Sequence, residues 1–177
     1  MSEDETMTAY TRNGLREEEP RLGDLMDDGT VYAGISPTTG TPMFVAPHDA
    51  PGLMTWKDAV RYAFNSEAHG YRGSRQQTEH DLTASQDDGG WRLPTMVELK
   101  QIHRGKELGA LKGTFRDRVS LEVSHWYWSC TEIQGCEDHG VSGVQFTDGA
   151  EFDGFKGERG AFEGTASLRL VRTGPRH

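Results

Sequence analysis

The residues with the greatest chemical potential in this sequence are two cysteines, Cys130 and Cys136. Thiolates act as nucleophiles and metal ligands, but a separation of six residues matches neither a zinc knuckle nor a redox Cys-x-x-Cys pair. Two cysteines are also too few for the disulfide framework of a small secreted protein. We therefore expect reduced, structural thiols, with a local disulfide between the two as the alternative.

Histidines and carboxylates provide no fixed metal site either. His69, His80 and Asp81 could act as ligands, but nothing fixes their spacing, and solvated side chains are the simpler interpretation. The sequence also has no Ser/His/Asp elbow, no phosphate-binding glycine loop and no His-x-x-x-His helix. We therefore predict a protein that is not an enzyme, with no catalytic residues, no metal site and no cofactor.

The composition is typical of one globular domain with an acidic extension. The chain has 177 residues, of which 34% are hydrophobic and 22 are glycines, and its net charge is -9. A chain of this length can bury a core without disulfide or metal staples, and the many glycines favour turns over a helical bundle. The negative charge argues against nucleic acid or an anionic membrane as a partner.

The N-terminal segment carries much of that charge. Residues 1–28 contain nine acidic residues and three arginines, a net charge of -6. We expect a solvated acidic arm, with ordering against a partner subunit as the alternative. No apolar run could span a membrane and the acidic start is unlike a signal peptide, so we expect cytoplasmic synthesis without membrane insertion. The predicted domain then covers residues 29–173, and residues 174–177 form a short tail.

The elements that must position any functional residue are organised around one corner, Trp91–Leu99. Pro94 keeps the approach extended, and Thr95 with Glu98 forms a capping box that starts a helix. This helix should run to about residue 104. An earlier helix over about residues 55–66 is indicated by an apolar stripe at helical spacing, composed of Trp56, Ala59, Val60, Ala63 and Phe64.

Strand signals occupy most of the remaining chain. A hairpin is predicted from residues 30–35 and 41–45. In the run 126–131 the alternation places Trp126, Trp128 and Cys130 on one face. Further strands are predicted at residues 143–147, 152–156 and 167–172, the last closing the sheet. The fold class is therefore α+β, an antiparallel sheet with two helices packed against it.

Five motifs stand in a fixed order: Thr55-Trp56-x-x-Ala59, Trp91-Arg92-Leu93-Pro94-Thr95-x-x-Glu98-Leu99, Trp126-Tyr127-Trp128-Ser129-x-Thr131-Glu132, Val144-x-Phe146-x-Asp148-Gly149 and Leu168-Arg169-x-Val171-Arg172. Together they resemble the Lcl C-terminal domain family, a bacterial and phage family of unknown function. The resemblance implies a C-type-lectin-like fold, in which a twisted antiparallel sheet is flanked by two helices and long loops share one face. Members are typically binding modules of surface or virion proteins.

The chain departs from the family pattern in three places. Residues 72–88 look inserted before the Trp-Arg-Leu-Pro corner. Cys130 stands where the family usually has serine, and Leu170 stands where many members have cysteine, so a family disulfide is not expected here. The resemblance therefore leaves the shape of the presenting face open.

The resemblance places ligand recognition in the loops after Glu132 and Asp148. Phe152 and Phe155 are the natural anchors, since an exposed aromatic ring gives contact area at low entropy cost. The alternative is that both rings pack beneath the loop. The candidate ligand-binding residues are Gln134, Glu137, Asp138, His139, Glu151, Phe152, Phe155 and Lys156.

Two activities of related lectin-like folds find little support. The calcium-dependent sugar motifs, Glu-Pro-Asn-like and Trp-Asn-Asp-like, are missing, and Glu132, Glu137, Asp138 and Asp148 are more simply solvated loop carboxylates than calcium ligands. The formylglycine-generating oxygenases hold copper(I) between two cysteines, but the residues around Cys130 do not match that family.

Two functions follow from these features. The first is a non-catalytic recognition or adhesion module that binds a protein or glycan, as receptor-binding domains do. The alternative is a structural component of a phage particle, such as a capsid decoration, tail or fibre protein. In that case the acidic arm and the insertion would contact neighbouring subunits, and the protein would form a homo-oligomer or join a virion.

Overall fold

The structure is a computed structural model that describes residues 19–65, 90–117, 125–156 and 164–174. Most of the predicted acidic arm and the whole predicted insertion, residues 72–88, lie outside the described residues, as do His69, His80 and Asp81. Within the described part, no helix is long and apolar enough to cross a membrane. The elements in chain order are β1 Val31–Ile35, β2 Pro42–Val45, β3 Met54–Thr55, α1 Trp56–Phe64, α2 Met96–Gly105, a 3-10 turn Gly109–Leu111, β4 Trp126–Glu132, β5 Gly140–Gln145, β6 Glu151–Phe155, β7 Thr165–Ala166 and β8 Val171–Thr173.

Both helices begin at threonine caps. Thr95 Oγ1 accepts the backbone N–H of Glu98 at 3.4 Å, and the Glu98 carboxylate accepts the N–H of Thr95 at 2.8 Å. The predicted capping box is therefore confirmed. At the start of α1, Thr55 Oγ1 accepts the N–H of Asp58 at 3.2 Å. The two helices and the antiparallel strands make the chain α+β, as predicted.

The strands form three small antiparallel sheets in the described residues, whereas the sequence predicted one. Their orders are β1-β2-β8, β3-β7 and β4-β5-β6. The predicted closing strand over residues 167–172 passes from sheet to sheet. β7 pairs with β3, Ser167 exchanges backbone hydrogen bonds with Trp126 and Trp128 of β4 at 2.7 and 3.1 Å, and β8 pairs with β2. The segment 165–173, which contains the predicted strand, therefore contacts all three sheets and supplies the edge strand β8 of the first one.

The β4-β5-β6 sheet lies between two clusters of buried apolar side chains. Trp128 and Cys130 belong to the cluster that contains α1, and Trp126 packs against the same cluster. Tyr127 and Val144 belong to the second cluster, which contains α2. Because neighbours along a strand face opposite sides, each side of the sheet carries one helix. The predicted common face of Trp126, Trp128 and Cys130 is confirmed.

A buried ion pair stabilises the corner at the start of α2. Arg92 donates two hydrogen bonds of 2.7 Å to the Glu98 carboxylate, and Ser36 Oγ donates another at 2.5 Å. The Glu98 side chain is 0% exposed. Burial alone would raise the pKa of Glu98, but the hydrogen bonds and charge of Arg92, with those from Ser36 and Thr95, hold that pKa below its usual value.

A second buried network surrounds Arg169 of the last motif. Its guanidinium donates to Asp49 Oδ1 at 2.7 Å, to the carbonyl of Ala46 at 2.9 Å and to the carbonyl of Thr114 at 2.6 Å. Tyr127 Oη donates to the other Asp49 oxygen at 2.6 Å. The buried charge of Arg169 is therefore paired and hydrogen-bonded, as a charge without access to water requires.

Residues 19–28, the described end of the predicted arm, pack on the first hairpin. The N–H of Gly23 donates to the carbonyl of Tyr32 at 2.8 Å, which extends the pairing of β1. Asp28 forms an ion pair with Arg172 of β8. The two ends of the described chain therefore meet at the same sheet.

Candidate ligand-binding face

The loop between β4 and β5 folds into successive tight turns. The N–H of Cys136 donates to the carbonyl of Ile133 at 2.9 Å, and the N–H groups of His139 and Gly140 donate to the carbonyl of Cys136 at 2.9 and 2.6 Å. Gly135 supplies a left-handed backbone conformation, with φ of 82°, that a side chain would disfavour. The loop backbone therefore has a defined shape, although the residues before Gly140 are exposed.

Lys156, which follows β6, fastens this loop to the body of the domain. Its ammonium group pairs with the Glu132 carboxylate and donates a hydrogen bond of 2.6 Å to the carbonyl of Glu137. The same group lies 4.9 Å from the centroid of the Trp56 ring, a cation–π contact. The backbone N–H of Lys156 donates to the carbonyl of His139 at 2.8 Å. Both its side chain and its backbone therefore contact the loop.

Three loop side chains remain available to a partner. Gln134, Asp138 and His139 are exposed, and their side chains make no hydrogen bond or ion pair with another described residue. Glu137 differs, because its carboxylate accepts the N–H of Gly135 at 2.7 Å, a bond that lowers the pKa of Glu137. The loop therefore presents an amide, a carboxylate and an imidazole, which together can donate and accept hydrogen bonds.

The two predicted aromatic anchors have different environments. Phe155 is 62% exposed and pairs with Gly140, at the end of the loop. Phe152 is half-buried, with its ring centroid 4.5 Å from that of Trp126 and 5.6 Å from that of Trp128. Phe155 can therefore meet a ligand, whereas Phe152 packs on the sheet, so the alternative in which both rings pack beneath the loop does not describe Phe155.

Glycines allow this packing. A Cβ atom added to Gly143 would lie 2.3 Å from the Phe152 ring and 2.5 Å from the carbonyl oxygen of Tyr127. A Cβ atom on Gly154 would lie 2.5 Å from the Trp128 ring. The two rings therefore rest directly on the backbone of β5 and β6.

Glu151 is separated from the other predicted residues. It begins β6, about 13 Å from Phe155 at roughly 3.3 Å per residue, and it forms an ion pair with Lys100 of α2. The structure therefore gathers residues 134–139, Phe155 and Lys156 at one end of the sheet. We call this set the loop face.

Two residues that support the loop face were not among the predicted binding residues. Trp56 was predicted to lie in the core, and it does, with 5% of its surface exposed. Its ring also forms the cation–π contact with the Lys156 ammonium. Glu132 was considered only as a possible calcium ligand. The opposite charges of Glu132 and Lys156 are compatible with an ion pair. The two residues are 24 positions apart, however, so the strand pairing must be known before the pair can be predicted.

The two cysteines differ in exposure. Both are free thiols in the structure, with Cys130 buried and Cys136 exposed on the loop. Cys130 is 5% exposed, and burial raises its pKa to about 11, which keeps it a neutral thiol near pH 7. Among the described residues, no group of three or more histidine, cysteine and acidic side chains could hold a metal ion.

The loop face thus exposes three polar side chains that have no partner among the described residues, together with the ring of Phe155. Such groups can form hydrogen bonds and bury apolar area in a contact. A comparison with protein-family models and with curated protein sequences finds no match to this chain.

Proposed function

We propose that the protein is a non-catalytic recognition or adhesion module that binds a protein or glycan through its loop face. One observation carries this proposal, namely the presence of free side chains on a fixed backbone. Gln134, Asp138 and His139 are exposed on a loop that is held by its own hydrogen bonds and by Lys156. A surface that is ordered before binding loses less entropy on association, so this arrangement favours affinity.

Phe155 supports the same proposal. Phe155 is 62% exposed, so the isolated protein does not gain the free energy of burying this ring. Contact with a partner would bury the ring and supply that free energy. Phe155 pairs with Gly140, the residue that directly follows the loop, so the polar side chains of the loop lie next to it. An aromatic anchor with a polar surround is the usual composition of a binding surface.

We also propose a C-type-lectin-like fold and membership of the Lcl C-terminal domain family. Two helices on opposite sides of an antiparallel sheet support this fold. The Asp28–Arg172 ion pair supports it as well, because it brings the ends of the domain together. Three charged residues of the family motifs, Arg92, Glu98 and Arg169, lie in buried networks, as residues that determine an architecture would.

Binding is favoured over catalysis by the state of the reactive groups. Cys130 is buried and neutral, and the exposed loop side chains form no nucleophile–base pair among the described residues. The alternative function, a structural component of a phage particle, depends on the acidic arm and the insertion. Residues 1–18 and 72–88 lie outside the described residues, so no contact of theirs favours it. Size-exclusion chromatography with light scattering separates the two, since a constitutive trimer or larger ring would favour the particle component.

A binding screen with matched variants tests the proposal. The wild type is applied to a glycan array and to a displayed peptide library, together with the triple variant Gln134→Ala/Asp138→Ala/His139→Ala. The control variant is Arg104→Ala/Glu107→Ala, which removes two exposed charged groups at the C-terminal end of α2.

We expect the wild type to select a ligand class, and the triple variant to bind it at least about tenfold more weakly, as loss of central interface contacts does. The control should retain wild-type affinity. The proposal fails if the wild type selects no ligand from either collection, or if the triple variant binds the selected ligand as well as the wild type does.

A further inference from the structure

We propose that Lys156 is the positioning residue of the loop face, and that its ammonium group holds the loop in its binding conformation before any ligand arrives. The biological meaning of this inference rests on the proposed function, but the ordering can be measured without a ligand. The sequence assigned Lys156 to ligand contact. Its side chain, however, is 12% exposed, and its charge is already engaged inside the protein.

The geometry of the contacts supports a positioning role. Glu132 belongs to the end of β4, Glu137 to the loop and Trp56 to the start of α1, and all three contact one ammonium group. The loop contributes a backbone carbonyl, so any movement of its backbone at residue 137 breaks the 2.6 Å hydrogen bond. Lys156 therefore couples the loop to both a strand and a helix.

The energetics point the same way. A cation with little access to water is stabilised by its protein partners, and a carbonyl that loses a charged donor loses a strong hydrogen bond. Removal of the ammonium group would free the carbonyl of Glu137, and the loop could then adopt other conformations. Glu132 is 47% exposed, so water can solvate its carboxylate once the lysine is removed. The variant should therefore fold.

Lys100 provides a matched control. It also pairs with a glutamate of the β4-β5-β6 sheet, Glu151, and its side chain is 34% exposed. Among the described residues it makes no contact with the loop. The variants Lys156→Met and Lys100→Met each remove one ammonium group and one ion pair, but only the first removes a contact to the loop.

Amide hydrogen exchange, followed by NMR on the full chain, tests the inference. In Lys156→Met we expect the amides of Cys136, His139 and Gly140 to exchange about tenfold faster or more, because local opening of the loop becomes easier. These rates should stay unchanged in Lys100→Met, and Lys156→Arg should restore most of the protection. Amides of Tyr127 and Val144, in the centre of the sheet, should keep wild-type rates in all variants.

Two results would overturn the inference. One is wild-type protection of the loop in Lys156→Met, which would show that other contacts order it. The other is an equal increase in exchange throughout β4 and β5, which would reduce Lys156 to a general stabilising residue. If the loop amides exchange faster in Lys156→Met but the screen selects no ligand, the inference stands and the proposed function is rejected. If the screen selects a ligand but the loop amides of Lys156→Met exchange at wild-type rates, the proposed function stands and the inference is rejected.

Discussion

The corner at Glu98 and the loop face at Lys156 are each held by one charged side chain, and they differ in what surrounds it. Glu98 is 0% exposed, and its two oxygens accept hydrogen bonds from Arg92, Ser36 and the backbone of Thr95. Every partner of this carboxylate belongs to the protein. Both oxygens of the Glu98 carboxylate are therefore already engaged within the protein.

The loop face uses similar chemistry nearer the surface. Lys156 is mostly buried, but its partner Glu132 is 47% exposed, and the loop beyond it displays Gln134, Asp138 and His139 to solvent. The comparison shows that a buried charge can serve two purposes in one domain. At the corner it specifies how elements meet, and at the loop face it fixes a backbone while neighbouring side chains stay free.

Neutralising one carboxylate in each region should give the largest difference between them. Glu98→Gln should lower the free energy of unfolding by about 3–5 kcal/mol, because it leaves the Arg92 charge buried without a counterion. Glu132→Gln should cost at most about 1 kcal/mol, because the Glu132 carboxylate is 47% exposed and the Lys156 ammonium keeps the carbonyl of Glu137 and the Trp56 ring as partners. Urea unfolding at pH 7 measures both values. Equal losses would show that the burial of the corner has no special role.

The pH dependence of stability provides a second test of the corner. The pKa of Glu98 lies below its usual value of 4.5 in the folded protein, so its ionisation adds stability above about pH 4.5. That contribution should disappear as the pH falls through the folded pKa. Urea unfolding between pH 7 and pH 3 should therefore show the wild type losing its advantage over Glu98→Gln in acid. His103, whose pKa burial lowers, affects both proteins alike. A wild-type advantage that does not shrink as the pH falls below about 4.5 would contradict this explanation.

The packing of the Phe152 ring on the sheet should be sensitive to a single methyl group. Gly143→Ala should lower the free energy of unfolding by about 1–3 kcal/mol, because the new Cβ overlaps the Phe152 ring and the backbone of Tyr127. Ser142→Ala, one position earlier in β5, should change stability by about 0.5 kcal/mol or less. Thermal unfolding compares the two. A Gly143→Ala protein as stable as the wild type would mean that the rings can move away from the sheet.

The two phenylalanines of β6 should separate stability from binding. Phe152→Ser should destabilise the protein by about 2 kcal/mol or more, since its ring packs on two tryptophans. Phe155→Ser should leave stability within about 0.5 kcal/mol of the wild type, because its ring is mostly exposed. Phe155→Ser should still weaken binding of the selected ligand. Calorimetric unfolding and a binding titration measure the pair, and Leu25→Ser, another exposed apolar residue, is the control for binding.

How much the sequence revealed depended on the range of the interaction. The capping box of Thr95 and Glu98 was predictable because its partners are three residues apart, and the shared face of Trp126, Trp128 and Cys130 was predictable from the period of a strand. The ion pair of Glu98 with Arg92 was missed, because the capping box already accounted for that carboxylate. Local rules assign one role to a side chain, whereas burial can give it two.

The remaining features depend on contacts between distant segments. β7 and β8 are two and three residues long, too short to carry a period, and their partners β3 and β2 lie over a hundred residues earlier. The sequence therefore predicted one sheet where the chain forms three. At the loop face, residue types identified exposed candidates, but only the structure shows that Phe155 is exposed, that Phe152 packs on tryptophans and that the Lys156 ammonium has partners within the protein.

The most direct test of the loop face is NMR mapping with the ligand that the screen selects. The account predicts that the largest amide shift changes on titration fall on residues 134–139 and Phe155, with little change at Arg92 and Glu98 in the buried corner. Shift changes centred on Val97, an exposed apolar residue of the corner itself, and on the exposed Ile35, with the loop amides unmoved, would contradict it.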